Sequence, residues 1–116
     1  MTLRAGIIGL GVGEGHIGGY ERDPRCRVVA LCDIDEQRLA AVGARHPGRR
    51  LATDPRSILD DPEIDVVSIA SYDDVHHAQV LAALAAGKHV FVEKPLCVHD
   101  QEFAEICDAL RRAPEL

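Results

Sequence analysis

Four short apolar runs recur along this chain: Ala5-Gly6-Ile7-Ile8, Val28-Val29-Ala30-Leu31-Cys32, Val66-Val67-Ser68-Ile69-Ala70 and His89-Val90-Phe91-Val92. Strands that are apolar at consecutive positions are buried on both faces. The stretches between them are patterned for helices. Parallel neighbours need such crossovers and antiparallel hairpins do not. The alternation therefore predicts an α/β architecture, a doubly wound and mostly parallel sheet covered on both faces.

The intervening segments agree with that reading. His16 to Glu21 reads as helical, and Asp35 can cap a helix running to about Arg45 with Leu39 and Val42 facing inward. Pro47-Gly48 breaks it, and Leu51-Ala52-Thr53 suits a short edge strand. Asp54-Pro55 pairs an N-cap with proline at the first helical position, and the brief helix ends near Asp60-Asp61-Pro62. His76 to Ala86 places Val80, Leu81 and Leu84 on one face, with Gly87 as the stop signal. From Asp100, the spacing of Phe103, Ile106 and Leu110 marks a last helix. Right-handed crossovers would wind these elements as a single Rossmann-type domain over residues 1–116.

Charge and composition exclude several functions. A formal net charge of −6 and an aromatic content of 3% argue against a nucleic-acid partner, which needs basic surface or stacking platforms. No apolar run approaches the roughly 20 residues that span a bilayer, so no membrane partner is expected. Met1-Thr2-Leu3-Arg4 leads directly into a strand and lacks the shape of a signal peptide. Cys26, Cys32, Cys97 and Cys107 form no CxxC pair. They read as free thiols in a reducing cytoplasm, and no metal site is expected.

The first strand is followed at once by Gly9-Leu10-Gly11-Val12-Gly13-Glu14-Gly15. Glycines at such a strand-to-helix turn let backbone approach a pyrophosphate, which the helix N-terminus then stabilises. The spacing is GxGxG rather than GxGxxG, as if one residue were missing. Taken alone, it leaves a plain tight turn open. Its position, and Asp33 at the end of the second strand, favour a dinucleotide site. A carboxylate there accepts bonds from both adenosine ribose hydroxyls and repels a 2′-phosphate, although Asp33 can also act as a helix cap. No Arg or Ser directly follows Asp33, Ile34 being next, so NAD is favoured over NADP. Glu14 suits an anion site only with its side chain turned away.

The fourth run ends in Glu93-Lys94-Pro95. In open α/β sheets ligands bind outside the carboxyl ends of the strands. Proline restricts the residue before it, so Lys94 leaves the strand in a defined direction, toward a ligand or simply toward solvent.

Together these motifs resemble the glucose–fructose oxidoreductase/inositol dehydrogenase family (Gfo/Idh/MocA), over essentially the whole chain. The resemblance rests on the glycine turn, the acid ending strand two, and Ser68-Ile69-Ala70-Ser71-Tyr72-Asp73-Asp74-Val75-His76. Most specific is Ala82-Ala83-Leu84-Ala85-Ala86-Gly87-Lys88-His89-Val90-Phe91-Val92-Glu93-Lys94-Pro95. Tyr72 stands where the family usually has proline.

The resemblance implies an NAD-dependent oxidoreductase acting on a sugar-like or cyclitol CH–OH group. It implies cofactor contacts from Gly9, Gly11, Val12, Gly13, Asp33, Ile34, Ser71, Tyr72, Asp73, His76, Glu93 and Lys94. The loop from Ser71 would line the nicotinamide ribose, with His76 either closing it or starting the next helix. His77 has no matching role and reads as a surface residue. Lys94 would contact the substrate hydroxyl and help move its proton, its pKa lowered by desolvation beside a cationic nicotinamide, with Glu93 orienting it. The family also implies a second α+β domain that completes the substrate site and carries the oligomer contact. On that reading the chain is a cofactor domain truncated before its sixth strand, either a fragment or a lone module. A non-catalytic NAD-binding sensor and a nucleotide-binding domain of another class remain as alternatives.

Overall fold

A computed structural model describes residues 2–116. Its strands are β1 (Leu3–Ile8), β2 (Cys26–Cys32), β3 (Arg50–Ala52), β4 (Val66–Ile69) and β5 (His89–Val92). Its helices are α1 (Leu10–Glu21), α2 (Glu36–Arg45), α3 (Arg56–Leu59), α4 (His76–Ala85) and α5 (Asp100–Arg112), with a 3₁₀ turn at Asp73–Val75. The strands form one sheet in the order β3-β2-β1-β4-β5, every pairing parallel. The order reverses at β1, which places a crevice between β1 and β4 at their carboxyl ends.

Each face of the sheet carries its own core. On one face Ile7, Val28 and Leu31 pack against Leu10 and Ile17 of α1 and Leu39 and Val42 of α2. On the other, Ile8, Ala30, Val67 and Ile69 meet Ile58 and Leu59 of α3, Val80, Ala83 and Leu84 of α4, and Ile106 of α5. Val28 and Ala30 point to opposite faces although two residues apart, because the β1–β2 register slips by one residue there. Such a bulge re-aims every side chain beyond it. Asp35 caps α2 as its sequence predicts, accepting bonds from Gln37 N and Arg38 N at 2.9 and 3.1 Å.

Several expectations need correction. α1 begins at Leu10, so Gly11, Gly13 and Gly15 are helical and only Gly9 forms the turn. α3 starts one residue later than Asp54-Pro55 implies, while the Asp54 carboxylate still accepts the Arg56 N–H at 2.9 Å. β5 is not buried on both faces. It is the sheet edge, and Phe91 is 53% exposed, because α1 lies over β1 and reaches β5 only through His16, whose ring meets that of Phe91 at 5.1 Å. On α4, Leu81 is only half-buried and Ala83 takes the inward position. On α5 only Ile106 is buried, while Phe103 and Leu110 face outward. His77 is no plain surface residue. It is wedged between Glu102 and Glu105 of α5, 3.7 Å from each.

Lys88, in the Gly-Lys-His segment before β5, is 2% exposed and donates to the carbonyl oxygens of Asp61 and Ile64. Burial lowers its pKa, and the nearby carboxylates of Asp61, Asp65 and Asp60 act against that shift. Lys88→Met keeps the aliphatic stem but strands two carbonyls without a donor. It should destabilise the fold by about 2 kcal/mol, read as a lower urea midpoint by circular dichroism.

Candidate functional site

Gly9 makes the tightest backbone approach at the crevice. Its φ is +90°, and a Cβ there would meet the Ala70 carbonyl oxygen at 2.4 Å, so only glycine fits between β1 and β4. Gly13, one turn into α1, packs directly on the sheet, since a Cβ would stand 2.8 Å from Ile7. This close seating lets the chain enter α1 immediately after Gly9, with the spacing one residue short. A Cβ on Gly11 would meet nothing within 4 Å, leaving the first turn of α1 open to solvent.

Asp33 is 5% exposed. Its Oδ2 accepts the Leu10 N–H at 2.9 Å and its Oδ1 accepts the Asp35 N–H at 2.8 Å. The carboxylate thus ties the start of α1 to the turn leading into α2. Its two oxygens retain further acceptor capacity. Arg38, in the first turn of α2, brings Nη1 to 3.6 Å from Asp33 Oδ2. The residue directly after Asp33, Ile34, gives no sign of this arginine. The signal was Asp35 as N-cap, which puts Arg38 at the third helical position, facing back along the helix.

These groups surround a cavity of about 330 Å³ that Gly9, Gly11, Val12, Asp33, Ile34, Arg38, Ser71 and Tyr72 help to line. Val12, Ile34 and Tyr72 are 62%, 65% and 67% exposed and form an apolar rim, while Ile8, Leu10 and Cys32 make the floor largely apolar around the Asp33 carboxylate. Ser71 Oγ donates to Gln79 Oε1 at 2.6 Å, a contact of α4 that the sequence did not indicate. Cys32 also lines the cavity, its thiol pushed up to about 12 by burial and by the Asp33 and Asp54 carboxylates. All four cysteines are free thiols. Among the described residues no group of three or more His, Cys, Asp or Glu side chains could hold a metal ion.

The remaining sequence-predicted residues lie around this cavity rather than in its lining. Asp73 is exposed on the 3₁₀ turn. His76 is fully buried, with Nδ1 2.6 Å from the Pro95 carbonyl oxygen and Nε2 3.0 Å from that of Ser71. It starts α4 and joins the loop after β4 to the Glu93-Lys94-Pro95 corner. Glu93 continues the β5 ladder by donating its N–H to the Ile69 carbonyl at 2.9 Å, and its carboxylate faces His16 at 3.0 Å. Lys94, followed by a cis Lys94–Pro95 bond, is exposed. Glu14 turns away from the cavity. It receives Arg45 Nε and Nη2 at 2.7 and 2.9 Å and lies 3.2 Å from His46 Nε2, which removes its charge from the anion-facing helix end.

Comparison with known proteins adds three findings. The family described as "Oxidoreductase family, NAD-binding Rossmann fold" (GFO_IDH_MocA) matches residues 3–116. Inositol 2-dehydrogenase 2 of Saccharopolyspora erythraea is 38% identical over 114 residues, covering 97% of this chain and 34% of that protein. An inositol 2-dehydrogenase of Acidothermus cellulolyticus is 42% identical over 97 residues, covering 82% of this chain and 28% of its own length. The chain thus spans about a third of the length of the curated relatives it matches. Among solved structures, scyllo-inositol dehydrogenase from Lactobacillus casei, with bound NAD(H) and scyllo-inositol, superimposes with a TM-score of 0.91 at 25% identity, covering 100% of this chain and 35% of that one. Biliverdin reductase from Synechocystis, in complex with biliverdin and NADP+, gives 0.90 at 30% identity over 97% of this chain and 35% of its own.

The Glu14 ion pair has a pH signature. The Arg45 hydrogen bond, aided by His46, holds the Glu14 carboxyl below its ordinary 4.5 against the opposing effect of burial. A carboxylate with a depressed folded-state pKa adds stability that is present above its unfolded pKa and lost as pH falls through the folded value. Glu14→Gln should therefore be less stable than wild type at pH 7. The two urea midpoints should converge as the pH drops below about 4.

Proposed function

Since the chain belongs to the Gfo/Idh/MocA oxidoreductase family, as its NAD-binding Rossmann domain, we propose that it is the cofactor half of a dehydrogenase acting on a cyclitol or sugar-like hydroxyl. One observation carries the cofactor assignment. The open first turn of α1, the buried Asp33 carboxylate and the Ser71-Tyr72 loop converge on one cavity at the carboxyl ends of β1, β2 and β4. The residues fit a dinucleotide. The free N–H groups of Gly11 and Val12 face outward from a helix N-terminus that favours an anion, and Gly13 lets α1 sit close to the sheet. Asp33 offers its remaining acceptor capacity to the adenosine ribose, while Ile34 and Val12 cover the adenine side. Ser71, Tyr72, Asp73 and His76 shape the nicotinamide end. NAD supplies, when bound, the hydride acceptor for oxidation of a hydroxyl.

On this reading Lys94 takes up the proton of the substrate hydroxyl, and Glu93 orients it. A complete substrate site and any homo-oligomer are proposed at the scale of the relatives, of whose length this chain spans about a third. The four free thiols support a reducing, cytoplasmic setting, and no helix is long and apolar enough to cross a membrane among the described residues. Arg38 gives NADP a foothold beside Asp33, but the intervening carboxylate opposes a 2′-phosphate.

Fluorescence titration with NADH and NADPH tests the assignment. Wild type should bind NADH at least about tenfold more tightly, as expected for a carboxylate set against a phosphate. Asp33→Ala should collapse that ratio. Equal affinity of wild type for both nucleotides would sink the NAD assignment.

A further inference from the structure

Ser68 stands in the middle of β4 with no exposed surface, and its Oγ lies 2.6 Å from His16 Nδ1. Nε2 of the same ring lies 3.0 Å from Glu93 Oε1. The His16 side chain is 15% exposed and that of Glu93 33%. An ionised carboxylate only accepts, so the ring proton belongs on Nε2. A neutral ring then leaves Nδ1 bare, and the Ser68 hydroxyl donates to it. Tyr20 lines the same cavity as His16 and Ser68, and burial raises its phenol above its ordinary value of 10. Phe91 meets the imidazole edge-on, with an interplanar angle of 82°, and restrains its plane. One tautomer satisfies every group in this chain of contacts.

The placement gives the contacts a purpose. His16 sits in the second turn of α1, the helix whose first turn lines the cofactor cavity. Glu93 adjoins Lys94. We propose that His16 is a positioning residue: fixed as the Nε2–H tautomer by the Glu93 carboxylate, with the Ser68 hydroxyl donating to Nδ1, it holds Glu93 and so ties the Glu93-Lys94-Pro95 corner to the cofactor-binding helix. The proposal rests on the reading of Lys94 as the catalytic lysine, and it adds a link between cofactor grip and lysine placement. His76 fastens the same corner from its other side, through the Pro95 carbonyl.

Long-range proton–nitrogen correlation NMR on the 116-residue protein at pH 8 reads the tautomer directly. Wild type should show His16 protonated on Nε2. Ser68→Ala keeps the acceptor-only carboxylate and should keep that tautomer, whereas Glu93→Ala leaves only the serine hydroxyl, which can donate or accept, and should give a mixture. In His16→Ala the Glu93 amide, bonded to Ile69, should exchange about tenfold faster, while the amides of β1 and β2 keep their wild-type rates. A purely structural role would speed exchange throughout the sheet. A wild-type Nδ1–H tautomer, or a Ser68→Ala spectrum as mixed as that of Glu93→Ala, would overturn the proposal without needing the His16 variant to fold. An NADH titration on the same wild-type sample separates the two readings, since weak binding there would count against the cofactor assignment and leave the tautomer result standing.

Discussion

The carboxylate of Asp33 fastens three parts of this molecule at one point. It receives the N–H groups of Leu10 and Asp35, and so fixes where α1 starts, where β2 ends and how the chain turns into α2. Because the first N–H groups of any helix lack internal partners, something must satisfy them. Here an acid on the neighbouring strand takes one and leaves the next two facing the cavity. The glycine turn can then be a single residue, Gly9, held between β1 and the Ala70 backbone at φ +90°. The shape of the cavity follows from that clamp.

Around it, the helix ends divide the work. α1 presents its N-terminus to the cavity, seats Gly13 against Ile7, and sends His16 across to the carboxyl end of β5. α4 contributes His76, which joins the Ser71 loop to Pro95. The Glu93-Lys94-Pro95 corner is thus gripped from both faces of the sheet by two histidines, although β5 is an edge strand with an exposed Phe91. Glu14, which by sequence sits dangerously close to an anion site, is drawn off by Arg45 and His46 of the α2 end.

How much of this was legible beforehand varied with the range of the interaction. The parallel sheet, the Asp35 cap, the inward Leu39 and Val42, and the Gly87 stop all follow from patterns within a few residues, and they appear in the structure. Positions set by distant partners were less readable. Phe103 and Leu110 keep helical spacing yet face outward, because only Ile106 finds the core. His16 reaches Ser68 and Glu93, and His77 finds two glutamates across a helix pair, both through side chains that say nothing locally about where they end.

By itself, then, the amino-acid order determined the alternating α/β plan, the glycine turn, the acid at the end of β2 and the family motif ending in Glu93-Lys94-Pro95. Those are local or periodic properties, written in backbone propensity and burial pattern. Tertiary structure alone decided that α1 begins at Leu10, that Asp33 clamps it, that Glu14 turns outward, and that Lys94 stands exposed on a corner braced by His16 and His76. Each of these depends on which residues meet across the sheet, and that is set by strand register, a bulge between β1 and β2, and the absence of cover over one face of β5 among the described residues.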